Sequence, residues 1–272
     1  METLIQASEL LSLTDRHVLL DVRWQLGGPP GRDAYRAGHL PGAVFVDMEA
    51  ELASHGAPTD GRHPLPDITA LQESARRWGI RDGDSVVAYD DSGGLAAARV
   101  WWLLRWAGLT DVRLLDGGLS AWKSIRGALE TGDVVPGPGD LTLRVGSLPT
   151  IDIDGAASFE GVLLDARAAE RYRGEVEPID PKAGHIPGAV SAPTTDNLDG
   201  DGRFRTPEEL RHRFELLGIH EGVEVAAYCG SGVTAAHEIA ALCIAGFDAA
   251  LYPGSWSQWS NHEDRPVATS LD

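Results

Sequence analysis

Four short motifs in the first half of the sequence return in the second half, in the same order. The pairs are LLDVRW at 19–24 with LLDARA at 163–168, GHLPGAV at 38–44 with GHIPGAV at 184–190, VVAYDDSGG at 86–94 with VAAYCGSGV at 225–233, and LLDGG at 114–118 with ALYPG at 250–254. Self-similarity at a period of about 140 residues indicates a duplicated structural unit. Because 272 residues suit two domains of ordinary size, the repeat predicts two copies of one domain.

The stretch TGDVVPGPGDLTLRVGSLPT, at 131–150, separates the two copies. It is rich in proline and glycine and has little hydrophobic periodicity at its start, which is typical of a linker. We therefore predict a first domain over 1–140, a linker over 131–150 and a second domain over 150–272.

Within each copy, short apolar runs alternate with helical segments. The strand-like runs are HVLLDV, SVVAYD and VRLLD in the first copy and GVLLDA, VEVAAY and AALYP in the second. Helical patterns such as DITALQESARRWG and TPEELRHRFELLG lie between them and end in a glycine, as helices often do. Strands that alternate with helices predict a parallel sheet covered on both faces. The predicted fold class is α/β, with two tandem domains that each hold a parallel sheet flanked by helices.

The charge of the chain narrows the choice of partner. Lysine and arginine number 23 and the acidic residues 41, so the net charge is −18. A nucleic-acid-binding protein usually carries a basic face, and an anionic membrane attracts basic segments. We therefore expect neither nucleic acid nor a membrane as a partner. A local positive pocket can still bind a small anionic molecule.

The cysteine content and the N-terminal segment indicate a compartment. Two cysteines are too few for a disulfide framework, which favours a reducing environment. The segment METLIQASELLSLTDRHVLL lacks the basic and uninterrupted apolar regions of a signal peptide. No apolar run reaches the ~20 residues that a membrane helix needs. These features predict a soluble cytoplasmic protein.

Cys229 lies between a predicted strand and a predicted helix. It follows the strand-like run VEVAAY, and the loop GSGVT after it leads directly into the helical segment TAAHEIAALCIAG. Ligands of open parallel sheets bind at the carboxyl ends of strands, where loop N–H groups and the helix dipole favour an anion. A cysteine there is stabilised as the nucleophilic thiolate. Cys243, within an apolar helical stripe, is expected to be a core residue.

The matching loop of the first copy reads YDDSGG, with Asp90 in place of the cysteine. A carboxylate cannot perform thiol chemistry, so we expect the first copy to be inactive and Asp90 to be a capping or structural residue. Asp21 and Arg23 recur in the second copy as Asp165 and Arg167. Their presence in both copies predicts ion pairs that tie a strand end to a loop.

These motifs resemble those of the two-domain rhodanese-type sulfurtransferases. The resemblance rests on DVR and DAR, the doubled GH(L/I)PGA, the paired loops, LLDGGLSAW and YPGSWSQW, and it extends over 19–259. The loop CGSGVTA resembles the 3-mercaptopyruvate sulfurtransferase branch. The thiosulfate branch places basic residues just after the cysteine, where this chain has Gly230 and Ser231. The resemblance implies two tandem rhodanese-like domains, of which the second is catalytic.

By this resemblance the reaction is a two-step sulfur transfer. Cys229 attacks the sulfur of 3-mercaptopyruvate, becomes a persulfide, and passes the outer sulfur to a thiophilic acceptor such as cyanide, a thiol or thioredoxin. The backbone amides of Gly230, Gly232, Val233 and Thr234 would bind the anionic sulfur. The reaction requires no metal and no organic cofactor. Because one chain already contains both domains, we expect the protein to act as a monomer.

Three further residues match the family's catalytic groups. Ser231 corresponds to a serine that helps proton transfer at the donor. Glu49 stands where the family has an aspartate that completes a Cys–Ser–Asp arrangement, with Asp47 close by. His63, in GRHPLP, matches a histidine that the family's first domain brings to the active site.

The family also binds the anionic group of the donor with arginine. Arg171, in DARAAERYRG, matches that arginine, and a guanidinium suits a planar carboxylate. The family often has a second arginine before GHIPG. Here no arginine follows Arg173 in that stretch, and Lys182 is the cation that remains.

Two other functions would use the same residues, and a missing arginine argues against a third. A thiosulfate:cyanide sulfurtransferase is the first alternative, since many family members could run both reactions. A persulfide carrier without rapid turnover is the second. A phosphatase of this fold needs an arginine six positions after the cysteine, and that position is Ala235.

Overall fold

The computed structural model describes residues 2–269 and contains two compact α/β units. The first unit comprises the chain up to Ser54, Pro66–Leu148 and Gly200–Phe204. The second comprises His55–Leu65, Pro149–Asp199 and the chain from Arg205 onward. The predicted α/β class, with two parallel sheets flanked by helices, is confirmed. The predicted domains run continuously along the chain, whereas packing places the segment that carries His63 in the second unit.

The sheet of the first unit has five strands in the order β1-β5-β4-β2-β3, and its strand pairings are parallel. The strands are β1 (Leu4–Ile5), β2 (His17–Asp21), β3 (Val44–Phe45), β4 (Ser85–Tyr89) and β5 (Val112–Leu115). The helices are α1 (Ala7–Ser12), α2 (Gly31–Ala37), α3 (Met48–Glu51), α4 (Ile68–Arg77), α5 (Ala97–Trp106) and α6 (Gly118–Ser124).

The sheet of the second unit has four strands in the order β7-β6-β8-β9, again paired in parallel. The strands are β6 (Val162–Asp165), β7 (Val190–Ser191), β8 (Val225–Tyr228) and β9 (Ala250–Leu251). The helices are α7 (Ile153–Ala157), α8 (Ala169–Tyr172), α9 (Pro207–Leu216), α10 (Thr234–Ile244) and α11 (Ser255–Ser260), with 3-10 turns at Pro58–Asp60 and Thr194–Asn197. No helix within 2–269 is long and apolar enough to cross a membrane.

The predicted caps of two helices and the glycines that end four are present. Asp67 accepts hydrogen bonds from the N–H groups of Thr69 and Ala70 and so caps α4. Thr206 and Glu209 form a reciprocal capping box at α9. Left-handed glycines follow four helices, at Gly79, Gly108, Gly218 and Gly246.

The same buried ion pair stands at the end of a central strand in each unit, as the repeat predicted. Asp21 pairs with Arg23 at 2.8 Å in the first unit, and Asp165 pairs with Arg167 at 2.6 Å in the second. Each arginine also donates to the carbonyl of the glycine that begins GH(L/I)PGA, at 3.0 and 2.6 Å. The predicted link between strand end and loop is confirmed, and the pair fixes the edge of each sheet where loops meet.

Candidate active site

Cys229 follows β8 directly, and its loop runs into α10, a helix of eleven residues. The Gly232 N–H donates to Sγ of Cys229 at 3.1 Å, and Cys229 is only 2% exposed. Val233 precedes α10 and has no side-chain oxygen with which to cap it. The Gly232 N–H therefore directs partial positive charge at the sulfur, and α10 begins five residues after Cys229 with its first N–H groups uncapped by Val233, which suits an anionic sulfur.

Gly232 is required by the backbone of this loop. Its φ is +79°, in the left-handed region, and a Cβ there would lie 2.5 Å from the carbonyl oxygen of Pro253. A larger residue would have both an unfavourable backbone conformation and a collision with backbone. The turn at Gly232 is what points its N–H at the sulfur.

The start of α11 holds the other side of the loop. The N–H of Trp256 donates to the carbonyl of Cys229 at 3.0 Å, and the N–H of Ser257 donates to that of Gly230 at 2.8 Å. The N–H of Cys229 in turn donates to Oγ of Ser255 at 3.1 Å. These bonds fix the loop before any substrate arrives, so its donors need no reorganisation to hold charge.

Ser231 and His63 form a hydrogen bond beside the cysteine. Oγ of Ser231 and Nδ1 of His63 are 2.7 Å apart, and the two residues are 5% and 3% exposed. The neighbouring Arg62 N–H donates to Oγ of Ser257 at 3.0 Å, which anchors the His63 segment to α11. A hydroxyl bonded to an imidazole can pass a proton to or from a reacting group.

Two guanidinium groups pack over Gly230, one position after Cys229. Nη2 of Arg62 lies 3.0 Å, and Nη1 of Arg171 3.5 Å, from the point that a Cβ on Gly230 would occupy. The structure thus places Arg171 at the loop. Arg62 is a residue that sequence reasoning missed, although it directly precedes His63 in GRHPLP.

Two buried carboxylates hold these guanidiniums. Glu177 pairs with Arg171 at 2.7 Å, and Asp180 bridges Arg171, at 3.4 Å, and Arg62. Burial raises the pKa of Asp180 above its ordinary value. Arg62 and Arg171 oppose that shift, whereas Glu177 adds to it. The positive charge over Gly230 is therefore largely balanced within the site.

Lys182 and Arg173, the other cations in the stretch before GHIPG, make contacts away from Gly230. Nζ of Lys182 donates to three backbone carbonyls, those of His262, Glu263 and Arg265, at 2.7, 3.3 and 3.3 Å. Arg173 pairs with Glu175 at 2.7 Å on the surface. Lys182 thus stabilises a turn and does not take the place of the missing second arginine.

Glu49 lies in the first unit, on α3. Trp24 Nε1 donates to its Oε1 at 2.8 Å, while Asp47 caps the same helix by accepting from the N–H groups of Glu49 and Ala50. The two acids therefore have different local tasks. A catalytic role for Glu49 stays a prediction.

Asp90, the counterpart of Cys229, is fully buried after β4 in the first unit. Its carboxylate accepts four backbone hydrogen bonds at 2.8–2.9 Å, from the N–H groups of Ser92, Gly94, Ala96 and Ala97. The loop is thus an anion cradle, and it is filled by its own side chain. This arrangement fits the capping role expected of Asp90.

Both cysteines are thiols. Cys243, expected in the core, is half-buried on α10. Among residues 2–269, no group of three or more histidine, cysteine, aspartate or glutamate side chains is arranged to hold a metal ion. The side chains of the site provide a thiol, a hydroxyl, an imidazole, two guanidiniums and two carboxylates.

The Rhodanese-like domain family matches the chain twice, over residues 6–125 and 153–262. The chain belongs to the rhodanese family. The first match covers four of the five strands of its sheet and the second covers its whole sheet, so the internal repeat is a pair of rhodanese domains.

Two related proteins and one solved structure are similar to this rhodanese over most of its length. A Mycobacterium tuberculosis protein with the provisional name thiosulfate sulfurtransferase is 48% identical over 98% of this chain and 96% of its own. A Pseudomonas aeruginosa protein, named as a probable 3-mercaptopyruvate sulfurtransferase, is 49% identical over 93% of this chain and 92% of its own. A crystal structure from Escherichia coli, titled for the 3-mercaptopyruvate sulfotransferases, has a TM-score of 0.83 and 30% identity, covering 94% of this chain and 99% of that one.

The predicted enzyme class, a rhodanese-type sulfurtransferase, is confirmed by these relatives. Such enzymes act on small-molecule sulfur donors and acceptors. The rhodanese fold also accounts for the position of Cys229, since both domains present the same loop at the end of a central strand.

Proposed function

We propose that this protein transfers sulfur from 3-mercaptopyruvate to a thiophilic acceptor through a persulfide on Cys229. The observation that carries the proposal is the hydrogen bond between His63 and Ser231, two residues from the cysteine. Departure of pyruvate from sulfur leaves a carbanion equivalent that must gain a proton. A buried hydroxyl backed by an imidazole is suited to deliver it.

In the first half-reaction the Cys229 thiolate attacks the thiol sulfur of the donor. A sulfur–sulfur bond forms and the carbon–sulfur bond breaks, and its electron pair leaves on carbon as the enolate of pyruvate. The proton that was on the donor sulfur then moves to that carbon by way of Ser231, which leaves a persulfide anion. No external oxidant is needed, because the donor carbon keeps the electrons that its sulfur gives up.

In the second half-reaction the acceptor attacks the outer sulfur of the persulfide. The sulfur–sulfur bond breaks and its electrons return to Cys229 as a thiolate. Cyanide, a small thiol or the dithiol of thioredoxin can all act in this way. The N–H of Gly232 and the first turn of α10 stabilise the anionic sulfur in both halves.

Thiosulfate is the second candidate donor, and the two guanidiniums over Gly230 favour it, since thiosulfate carries two negative charges. Sulfite leaves thiosulfate without needing a proton, so the His63–Ser231 pair would then have no task. The buried carboxylates of Glu177 and Asp180 also neutralise much of the positive charge. A donor with a single carboxylate matches that balance better.

The deciding experiment compares kcat/KM for the two donors, 3-mercaptopyruvate and thiosulfate, with cyanide as the common acceptor. A large excess for 3-mercaptopyruvate supports the proposal, and a preference for thiosulfate overturns it. A slow turnover with both donors, after stoichiometric labelling of Cys229, would identify a persulfide carrier instead. Cys229→Ser serves as the inactive control in each assay.

We also infer that the protein works as a monomer in the cytoplasm. Both cysteines are thiols, which suits a reducing compartment. Sedimentation at assay concentration tests the oligomeric state, and a dimer that alone carries activity would contradict it.

A further inference from the structure

We propose that Arg62 is a second residue for the donor's carboxylate, acting with Arg171 over Gly230. This inference rests on the proposed function and extends it. It concerns the same thiol site but adds a residue from a different part of the chain.

The first observation is the position of Arg62. Its Nη2 lies nearer than any atom of Arg171 to the place that a Gly230 side chain would fill. Gly230 adjoins Cys229, so the Arg62 guanidinium lies beside the residue next to the nucleophile. Arg62 is thus within reach of a substrate anion, and glycine at 230 leaves the room that its guanidinium occupies.

The second observation is the unused hydrogen-bonding capacity of Arg62. Its Nη1 is held by Asp180, whereas Nε and Nη2 are buried and have no partner within residues 2–269. A buried donor without a partner is destabilising, because it has lost its hydrogen bond to water. An arginine kept in that condition beside a nucleophile is explained by a ligand that completes its hydrogen bonds.

The third observation is how Arg62 is held. Asp180 contacts Arg62 through one oxygen and Arg171 through the other, so a single carboxylate sets the two guanidiniums side by side. The side chain of Asp180 is 3% exposed and that of Arg62 is 24% exposed. The acid is therefore a buried support, and the exposed part of the Arg62 side chain does not include Nε or Nη2.

A cavity lies beside Arg62 and its support Asp180. About 340 Å³ of space is lined by Arg62 and Asp180 together with residues of the 55–61 segment, the 179–181 segment and Asn261. Arg62 thus lines this cavity, and its Nη2 also packs over Gly230.

The test compares Arg62→Gln with Arg173→Gln, a matched control that removes the same charge from a surface arginine. Two quantities are measured with each variant. The first is the donor KM, with 3-mercaptopyruvate as donor, and the second is the inhibition constant of pyruvate, which has the carboxylate but no sulfur to transfer. Loss of a charge-assisted bond in R62Q should raise both constants about 10- to 100-fold. R173Q should change them less than about two-fold.

A third measurement separates donor binding from the chemistry of the cysteine. The persulfide is formed with saturating donor, and its discharge by cyanide is followed. We expect the same discharge rate in R62Q as in the wild-type protein, because the carboxylate has left by then. An unchanged donor KM and unchanged pyruvate inhibition in a folded R62Q would overturn the assignment.

If R62Q fails to fold, R62K decides the question. Lysine keeps the charge and the pair with Asp180 but lacks the two-pronged fork of a guanidinium. A raised donor KM in R62K, with a melting temperature near that of the wild type, supports the assignment, and an unchanged donor KM overturns it.

The proposed function can fail separately. If the wild-type protein uses thiosulfate and does not turn over 3-mercaptopyruvate, the donor assignment is wrong, and the same variants are compared through the KM for thiosulfate. A rise in R62Q that is absent from R173Q then still assigns Arg62 to anion binding, and no rise removes it.

Discussion

Nδ1 of His63 lies 2.7 Å from Oγ of Ser231, although 168 positions of sequence separate them. Ser231→Ala removes the hydroxyl that we assign to proton delivery. We expect kcat with 3-mercaptopyruvate to fall about 10²- to 10⁴-fold, the usual contribution of general acid–base catalysis. Turnover of thiosulfate should change little, because sulfite leaves without a proton. Steady-state assays with cyanide measure both.

The control for this variant is Ser260→Ala, which removes a buried hydroxyl at the last position of α11. It should leave both donors unaffected. His63→Gln should show the same selective loss as Ser231→Ala. Equal losses with the two donors would mean that the pair positions the loop and moves no proton.

Gly232 offers a test of the sulfur cradle. Gly232→Ala forces a side chain into the left-handed region and against the Pro253 carbonyl, so we expect both loss of activity and a lower melting temperature. Gly222→Ala is the matched control. Its φ is +85° and nothing lies within 4 Å of an added Cβ, so it should show only the backbone penalty of about 1–2 kcal/mol. Activity in G232A equal to that in G222A would exclude a need for this turn.

Protonation of the Asp180 carboxyl should make anion binding at the site depend on pH. Burial raises the pKa of its carboxyl, and Arg62, Arg171 and Glu177 are the charged groups around it. As the pH falls through that raised pKa, Asp180 loses its charge but keeps an oxygen for the guanidiniums. The site becomes more positive, so pyruvate should inhibit more strongly on the acidic side of neutrality.

Asp180→Asn removes the same charge at every pH. We expect it to lower the pyruvate inhibition constant about two- to five-fold near neutral pH and to flatten its pH dependence. Titration of pyruvate inhibition in both proteins is the measurement. A weaker inhibition in D180N would show that the carboxylate positions Arg62 more than it neutralises it.

Removal of the Asp90 carboxylate should lower the stability of the first unit without changing sulfur transfer at Cys229. Asp90→Ala leaves the buried N–H groups of Gly94, Ala96 and Ala97 without their acceptor, so the free energy of unfolding should fall by at least about 1–3 kcal/mol. Asp15→Ala, at an exposed site in the same unit, removes an equal charge and should be nearly neutral. Chemical denaturation measures both. A stable D90A would mean that water replaces the carboxylate in the cradle.

Much of the fold could be predicted because its determinants are local. The repeated motifs, the glycines that end helices, and the Asp–Arg pairs lie within short windows, and the structure contains them where expected. Cys229 and its loop are local in the same way, since a strand, a glycine-rich turn and a helix follow one another directly.

Arg62 and Asp180 could not be paired in this manner, because 118 positions separate them. A search of the stretch before GHIPG for a second cation finds only Lys182, whose ammonium holds a turn. The second arginine that reaches the loop, Arg62, belongs to a segment of the first half of the chain that packs with the second unit. Such exchanges depend on tertiary packing, which periodicity and motif spacing do not describe.

Each half of the chain contributes one short segment to the unit formed mainly by the other half. His55–Leu65 lies in the first half of the chain and belongs to the second unit, while Gly200–Phe204 does the reverse. A polypeptide started at Pro149 would carry Cys229, Ser231 and Arg171 but neither His63 nor Arg62. With the roles proposed for His63 and Arg62, the second half of the chain alone would therefore lack two residues of the proposed site.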